Sequence, residues 1–304
     1  MFELEGPMAP AQLLPQPRDS GTASAIACAD GVKENDCVLG ELGKPGAELA
    51  GDLLRDVHPV YVEEIDGAIS KRGHVVDTGT LSQAREAAIE RVVVSARTAG
   101  AADERKGITL FLVDPKARGV TLTRIPSIDW RQRFVVKLDN VAVDDAERLG
   151  ETDLAAEALE RTLDWATVGI SAAMLGAMNE AFRMTVEYLK ARKQFGVPIG
   201  SFQALKHRAA DQYVQTELAR SAVYYAAMAL DERMEDAALA VSTAKARCND
   251  AFHLIANESI QMHGGIGMTD EHDIGFFFKR ARADEVTLGD STYHRDRYAR
   301  LKGY

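Results

Sequence analysis

The second half of the chain carries four long stretches in which apolar residues recur at helical spacing. The first runs from Leu154 to Leu189 without a proline, and at about 1.5 Å per residue such a helix would be roughly 50 Å long. The other three are Phe202–Leu230, Asp236–Met262 and about Glu271–Arg300. Helices of this length joined by short connections pack side by side in antiparallel order. The sequence therefore predicts an antiparallel four-helix bundle over residues 151–304.

A different pattern precedes the bundle. Beyond Arg91, four short runs rich in β-branched residues are separated by turn-forming residues: VVVSAR, GITLFLVDP, GVTLTRIP and RFVVKLDNVAV. Such runs are typical of antiparallel strands. Residues 18–90 have no sustained periodicity, and four of the nine prolines lie in the first 17 residues. We therefore expect an α+β chain with an N-terminal arm (1–17), a β-rich middle domain (18–150) and the C-terminal bundle (151–304).

Composition limits the possible partners and the compartment. The formal net charge of -10 argues against binding to nucleic acid or to an anionic membrane, because both require a basic surface. The start MFELEGP is not typical of a signal peptide, and the longest uncharged run, Trp165–Met178, is too short to cross a bilayer. The three cysteines, Cys28, Cys37 and Cys248, have no zinc-like spacing and suit a reducing compartment. We expect a cytoplasmic protein without a membrane span.

Three familiar motif classes are weak in this sequence. VVDTGT (Val75–Thr80) contains the Asp-Thr-Gly of aspartic proteases, but a second copy is missing, so a turn is the better interpretation. None of the seven histidines follows a glutamate by three residues, so a di-iron bundle site is not expected and no metal is predicted. GGIGMT (Gly264–Thr269) lacks the third glycine and the preceding strand of a dinucleotide fingerprint. As a helix C-cap, however, it leaves backbone N–H groups accessible to a phosphate.

The corner between the first two predicted helices, RKQFGVPIGSFQ, is the strongest candidate for a binding site. A cation such as Arg192 at a helix C-terminus is by itself unremarkable. The neighbouring Gln194 and Phe195, followed by Gly-Val-Pro-Ile-Gly, are not explained by capping alone. A planar guanidinium can bind a pyrophosphate through two hydrogen bonds, and a phenyl ring offers a face to a heteroaromatic ring.

These segments resemble the acyl-CoA dehydrogenase family. RKQFGVPIGSFQALKHRAAD is similar to its Arg-x-Gln-Phe-Gly-x-Pro-Ile…Phe-Gln block, and QMHGGIGMTDEHD to its Gln-x-x-Gly-Gly-x-Gly-x-Thr block. The strand region from GITLF to NVAV is similar to the second half of its β domain. The ending FFFKRARADEVTLGDSTYHRDR resembles a bacterial branch that acts on bulky acyl-CoA thioesters such as sterol side chains. The resemblance extends over residues 91–304, and the two bundle blocks together are specific for this superfamily.

The resemblance implies an FAD site that is completed across a subunit interface. Arg192 would bind the pyrophosphate of the FAD of a neighbouring subunit, with Gln194 and Phe195 beside the adenosine half. Three more residues would line the same FAD: Gln261, Gly264 and Gly265. In this family a carboxylate removes the acyl α-proton while a hydride leaves the β-carbon for the flavin, and the electrons pass to an electron-transfer flavoprotein. The resemblance also implies a dimer or a dimer of dimers.

The chain departs from the family pattern in three places. We expect the family's leading helical domain to be missing before residue 91, and the Thr-Glu-Pro…Gly-Ser-Asp segment of the β domain is not found. The glutamate that serves as base on the last helix is replaced by Gly289, and the alternative base position falls near Ala166. Asp290 and Asp164 lie close to these positions, so Asp290 is a weak candidate base. A solvated helix carboxylate explains either residue equally well.

The sequence is therefore compatible with two alternative functions. The first is an FAD-dependent acyl-CoA dehydrogenase subunit, part of a homo- or hetero-oligomer with an acyl-CoA dehydrogenase-like chain. The alternative is a non-catalytic subunit that completes the FAD site of an active partner or acts as a scaffold. A third interpretation is a degenerate fragment whose bundle serves only to oligomerise, and bound flavin would separate it from the other two.

Overall fold

The structure is a computed structural model that describes residues 58–61, 65–66, 74–77, 91–101, 104–131 and 133–304. For the three shortest of these ranges it describes the backbone alone. The arm expected at residues 1–17, most of the region 18–90 and the Thr78–Thr80 part of the VVDTGT motif lie outside the described residues. All described residues belong to one compact unit, Asp52–Tyr304.

The β region forms one sheet. Its strands are β1 (His58–Tyr61), β2 (Ile65–Asp66), β3 (His74–Asp77), β4 (Val92–Arg97), β5 (Ile108–Val113), β6 (Val120–Ile125), β7 (Arg133–Asp139) and β8 (Arg148–Leu149). The four strands predicted beyond Arg91 are confirmed as β4 to β7. Most neighbours pair in antiparallel fashion, including β4 with β5 and β6 with β7, whereas β7 also pairs in parallel with β1 and β2. Alternate residues of β4, β5 and β7 form the core of this region: Val92, Val94, Val113, Phe134, Val136 and Leu138.

The bundle predicted for the second half is also confirmed. Its helices are α1 (Ala156–Ala191), α2 (Gln203–Asp231), α3 (Ala237–His263), α4 (Ile274–Val286) and α5 (Ser291–Lys302). Between α1 and α2 lies a small hairpin of β9 (Lys193–Gln194) and β10 (Val197–Pro198). No helix in the part of the chain that the structure describes is long and apolar enough to cross a membrane.

The last predicted helix is interrupted. The sequence pattern suggests one helix from about Glu271 to Arg300, but α4 ends at Val286 and α5 begins at Ser291. Between them Leu288 and Gly289 have positive φ angles of 57° and 106°, which end the helical path. Asp290 then caps α5, with its side chain accepting a hydrogen bond from the backbone N–H of Tyr293. The break turns one helical segment into two helices with a sharp corner.

Helix α3 is the centre of the bundle and packs against the other four helices. The side chains along its buried stripe are mostly small, for example Ala244, Cys248 and Ala251, and larger Phe252 and Ile255 are fully buried beside them. Small residues allow neighbouring helices to approach closely, while the larger ones fill the remaining space. The position of every other helix is therefore fixed relative to α3.

Charged side chains join the sheet region to the bundle. In the loop before β7, Arg131 donates a hydrogen bond to the buried carboxylate of Asp284 on α4 at 2.5 Å. Arg131 also pairs with Asp129 of its own loop, and Asp129 lies 3.7 Å from Arg280 of α4. A buried carboxylate needs such partners, because an unpaired one would be very costly. The loop is thereby fixed against α4, close to the α4–α5 corner.

Candidate functional site

The corner between α1 and α2 is a tightly built hairpin. Helix α1 ends at Ala191, and the backbone N–H of Arg192 still donates to the carbonyl of Tyr188 at 2.8 Å. The carbonyl of Arg192 accepts from the N–H of Ile199, also at 2.8 Å, which closes the hairpin of β9 and β10. These bonds fix the backbone at Arg192 while its side chain stays exposed.

The hairpin presents Phe195 to solvent in a strained conformation. Phe195 and Gly196 form the two-residue turn, with φ angles of 52° and 81°. A turn with two positive φ angles suits the twist of a hairpin, but a bulky residue at such an angle is an outlier. The Phe195 ring is 92% exposed and meets the ring of Phe202 only edge-on, with centroids 6.1 Å apart. A strained and exposed aromatic side chain suggests a binding role rather than a packing role.

The polar side chains beside Phe195 are free to bind a ligand. Arg192, Gln194 and Gln261 are all exposed, and none of the three side chains forms a hydrogen bond or an ion pair with the residues that the structure describes. Other exposed arginines on the bundle, such as Arg183, are paired with a neighbouring carboxylate. Arg192 therefore has all its donors available for an anion.

The glycine block forms an open cradle at the end of α3. Gly264 caps the helix with φ 67° and ψ −142°, a conformation that favours glycine. A Cβ atom built at Gly264 or Gly265 would meet no atom within 4 Å, so the space above both residues is open. Gly267, by contrast, packs closely, since a Cβ there would lie 2.9 Å from the carbonyl oxygen of Ile260. The first two glycines are thus available to a ligand, and the third fixes the loop.

The corner and the glycine block lie at the same end of the bundle. Tyr188, one turn before Arg192, stacks on His263, which directly precedes Gly264, and their ring centroids are 4.5 Å apart. His263 in turn contacts His272 at 4.4 Å. The structure therefore brings together the segments that the resemblance links to FAD, namely Arg192, Gln194, Phe195, Gln261, Gly264 and Gly265. An unpaired guanidinium and an exposed aromatic face fit a diphosphate joined to a heteroaromatic ring, and the open glycines leave room for such a ligand.

The weak candidate base, Asp290, is used as a helix cap. Its carboxylate accepts the N–H of Tyr293 at 2.8 Å, which stabilises the start of α5. Asp164 is engaged as well: it is buried and forms an ion pair with Arg297 of α5 at 2.7 Å. Burial raises the pKa of the Asp164 carboxyl, and the charge of Arg297 partly offsets this. Both carboxylates therefore have structural partners within the chain.

No side chain fits at Gly289 without a rearrangement. Its φ of 106° disfavours other residues, and a Cβ atom there would lie 2.4 Å from Cδ1 of Tyr293 and 2.9 Å from Nε2 of His294. His294 donates to the carbonyl of Leu288 at 2.9 Å, because that oxygen can only accept. The position at which the family pattern has a glutamate is thus filled by the rings of α5.

In the folded chain, Asp290 lies far in space from the residues that the resemblance links to FAD. Lys245 of α3 contacts Gly289, whereas His263 of the same helix contacts Tyr188 at the other end. The 18 residues from Lys245 to His263 span roughly 27 Å of helix. Asp290 and Arg192 therefore cannot act on the same atoms from one copy of the chain.

Sequence reasoning overlooked Lys245. It is 0% exposed, and its Nζ donates to Oδ1 of Asn249 and to the carbonyls of Asp284, Glu285 and Gly289 at 2.6–3.3 Å. Burial lowers the pKa of this ammonium group to about 8. The available signal was a lysine next to the apolar stripe of the third helical pattern, beside Ala244 and Cys248.

Comparison with known proteins relates these segments to one family. Residues 156–302 match the family model "Acyl-CoA dehydrogenase, C-terminal domain". Acyl-CoA dehydrogenase IpdE2 of Mycolicibacterium smegmatis is 40% identical over 126 residues, which cover 41% of this chain and 39% of the relative. Acyl-CoA dehydrogenase FadE27 of Mycobacterium tuberculosis is 32% identical over 202 residues, or 63% of this chain and 52% of that protein. The chain thus spans about half or less of the length of these relatives.

A solved structure shares the fold. The ChsE4-ChsE5 complex from Mycobacterium tuberculosis superposes with a TM-score of 0.66 and 27% sequence identity, covering 81% of this chain and 66% of the matched chain. The structural similarity extends beyond the bundle, because the covered share of this chain is larger than residues 151–304 alone.

Proposed function

We propose that the chain is an FAD-binding subunit of an acyl-CoA dehydrogenase, because residues 156–302 match the C-terminal domain of that family. The proposed reaction is the α,β-dehydrogenation of an acyl-CoA thioester, with electrons passed to an electron-transfer flavoprotein. The proposal depends on one observation: the unpartnered Arg192 side chain and the open Gly264–Gly265 cradle lie at the same end of the bundle. Neither feature is required for packing.

The residues of this end would bind and orient the cofactor. Arg192 would hold the diphosphate with its forked donors, and Phe195 would lie against the adenine. Gln194 and Gln261 would add hydrogen bonds, and the absence of side chains at Gly264 and Gly265 would let the ligand approach the backbone closely. When bound, FAD supplies a hydride acceptor. Because these side chains are exposed in the single chain, the FAD would be shared with a neighbouring subunit.

The α4–α5 corner favours a second candidate function. Gly289 has no room for a side chain and the Asp290 carboxylate caps α5, so neither supplies a free base in this chain. A subunit built in this way would complete the FAD site of a partner that carries the catalytic carboxylate. The relative in the ChsE4-ChsE5 complex is one chain of a two-component assembly, which supports a hetero-oligomer here as well.

A sterol-type or similarly bulky acyl group is the proposed substrate class. The support is the C-terminal segment FFFKRARADEVTLGDSTYHRDR together with a solved structure of similar fold, a variant of the Tcur3481-Tcur3483 steroid ACAD, which superposes with a TM-score of 0.62 and 27% sequence identity. The partner is proposed to be an acyl-CoA dehydrogenase-like chain, either a second copy or a homologue.

Flavin content tests the shared proposal. The full chain would be purified alone and after co-expression with acyl-CoA dehydrogenase-like chains of its own genome, and the visible absorbance of bound flavin would be recorded after gel filtration. Flavin that co-elutes with the chain is expected in at least one assembly. If every assembly is colourless and also fails to take up added FAD, both candidate functions are wrong.

Asp290→Asn separates the two functions. Asparagine is as good an N-cap as aspartate, so the fold and the flavin content should be unchanged, whereas a base would be lost. Turnover of an acyl-CoA would be followed with an artificial electron acceptor. Activity that disappears in Asp290→Asn assigns the base to this chain; unchanged activity assigns it to the partner.

A further inference from the structure

The rings of Tyr188, His263 and His272 form a stack that connects the ends of two helices. Tyr188 lies in the last turn of α1, His263 is the last residue of α3, and His272 belongs to the loop that leads to α4. Tyr188 and His263 are 4.5 Å apart, and His263 and His272 are 4.4 Å apart, as ring centroids. His272 also meets the edge of Tyr188 at 6.1 Å. The three rings therefore contact one another.

The position of this stack links the two proposed FAD-binding segments. The carbonyl of Tyr188 accepts the N–H of Arg192, and Gly264 directly follows His263. Gly267 packs against the same residue, since a Cβ there would lie 3.0 Å from Cβ of His263. The side chain of His263 thus connects the end of α1, which precedes Arg192, with the glycine cradle.

The hydrogen bonds define the protonation states of both imidazoles. Nδ1 of His263 lies 2.7 Å from the carbonyl oxygen of Ser259, which can only accept, so Nδ1 carries the proton. Nε2 of His263 is buried and has no partner among the described residues. In His272 the Nδ1 atom accepts the N–H of Ile274 at 3.2 Å. Two neutral rings with opposite tautomers can therefore lie in tilted contact without charge repulsion.

A proton on His263 would disrupt this arrangement. The new N–H at Nε2 would be buried without an acceptor, and a buried unpaired charge is costly. The titratable groups that face it are the phenol of Tyr188 on α1 and the imidazole of His272 in the loop, and neither is a carboxylate. Burial and the neighbouring His272 accordingly hold the pKa of His263 below its usual 6.5.

We propose that His263 is a positioning residue for the cofactor: its uncharged ring, packed against Tyr188 and His272, holds the Arg192 corner and the Gly264–Gly265 cradle at the separation that FAD requires. The proposal rests on the proposed FAD site. It assigns to His263 no contact with FAD and no proton transfer in the reaction. Loss of the stack would weaken binding of the cofactor, and protonation of the ring would have the same effect.

The test measures FAD affinity as a function of pH. The assembly found to contain flavin would be stripped and titrated with FAD between pH 8 and pH 5, using flavin fluorescence and gel filtration, while circular dichroism monitors the fold. His263→Phe keeps a planar ring but cannot be protonated. Tyr188→Leu removes the stack from the other helix. His253→Phe, on the exposed side of the same helix, is the matched control.

The expected results differ among the variants. Wild type and His253→Phe should lose FAD affinity as the pH falls below 6.5, the usual imidazole pKa, whereas His263→Phe should lose less. Tyr188→Leu should bind FAD about three- to tenfold more weakly at pH 8, because one aromatic pair is lost. Equal pH profiles for wild type and His263→Phe would overturn the proposal, and so would wild-type affinity in Tyr188→Leu. An absence of FAD binding by wild type would instead refute the proposed function itself.

Discussion

The buried Nζ of Lys245 on α3 donates a hydrogen bond to the carbonyl oxygen of Gly289, at a distance of 3.0 Å. The same ammonium group binds the carbonyls of Asp284 and Glu285 in the last turn of α4. One side chain thus donates hydrogen bonds to the terminal carbonyls of α4 and fixes the strained turn that follows this helix. The α4–α5 corner depends on a residue from a different helix.

Replacing Lys245 with methionine is expected to destabilise the protein strongly. Methionine fills similar space but leaves the buried carbonyls of α4 and Gly289 without their donor, which costs about 2–4 kcal/mol in the free energy of unfolding. Urea denaturation monitored by circular dichroism would measure the change. The control is Lys206→Met on the exposed face of α2, for which a change of about 0.5 kcal/mol or less is expected. Equal stabilities of the two variants would contradict this role of Lys245.

The pKa of Lys245 also predicts a pH dependence of stability. The ammonium has a pKa of about 8 in the folded protein and 10.5 as the reference value. Between these values the unfolded chain binds a proton that the folded chain has released, so the free energy of unfolding increases with pH. We expect the stability difference between wild type and Lys245→Met to grow by roughly 3 kcal/mol as the pH rises through this window.

Parallel urea titrations of both proteins at pH 8, 9 and 10 would measure this difference. Other lysines and tyrosines titrate equally in both proteins and cancel. A difference that stays constant with pH would show that the group does not release its proton in this range.

Introducing a glutamate at Gly289 should not create an active site. The side chain would have to begin at φ 106° and within 2.4 Å of the Tyr293 ring, so we expect a loss of about 2 kcal/mol or more in stability. Turnover of acyl-CoA should not rise above that of wild type. Gly275→Glu on α4 is the control, because a Cβ atom there meets nothing within 4 Å. A stable Gly289→Glu protein with increased turnover would show that the corner can adapt.

Removing the guanidinium of Arg192 should weaken FAD binding. Arg192→Ala loses charge-assisted hydrogen bonds to the diphosphate, so its Kd for FAD should increase about ten- to a hundredfold. Arg192→Lys, which keeps the charge but not the fork, should have an intermediate affinity. Arg183→Ala on the same helix, where Arg183 pairs with Glu180, should bind FAD like wild type. Flavin fluorescence titration of the assembled protein would compare all three variants, and undiminished affinity in Arg192→Ala would refute the proposed site.

The local features of the fold were predictable because they depend on short-range patterns. Apolar spacing located the long helices to within a few residues, and β-branched runs located β4 to β7. The break at Leu288–Gly289 was missed, because Leu288 favours a helix and its positive φ is imposed by contacts with α3 and α5. At this position tertiary packing outweighs the local preference of leucine for a helix.

The candidate cofactor residues could be named from the sequence, but their geometry could not. The order Arg192, Gln194, Phe195 followed by glycine and proline indicates a turn and a cation. Only the structure shows that the Phe195 ring is exposed and that Arg192 has no partner among the described residues. Both facts depend on which neighbours the folded chain supplies.

The sequence by itself determined the helical periods, the glycine cap at Gly264 and the absence of a glutamate at position 289, because each of these is set by residue type and local spacing. The tertiary structure decided which charged side chains have a partner and which have none among the described residues. It buried Lys245 against Gly289, used Asp290 as a cap, and placed Tyr188 on His263 at the other end of α3. These contacts join residues distant in the chain, and their energies depend on burial and partners that no local pattern specifies.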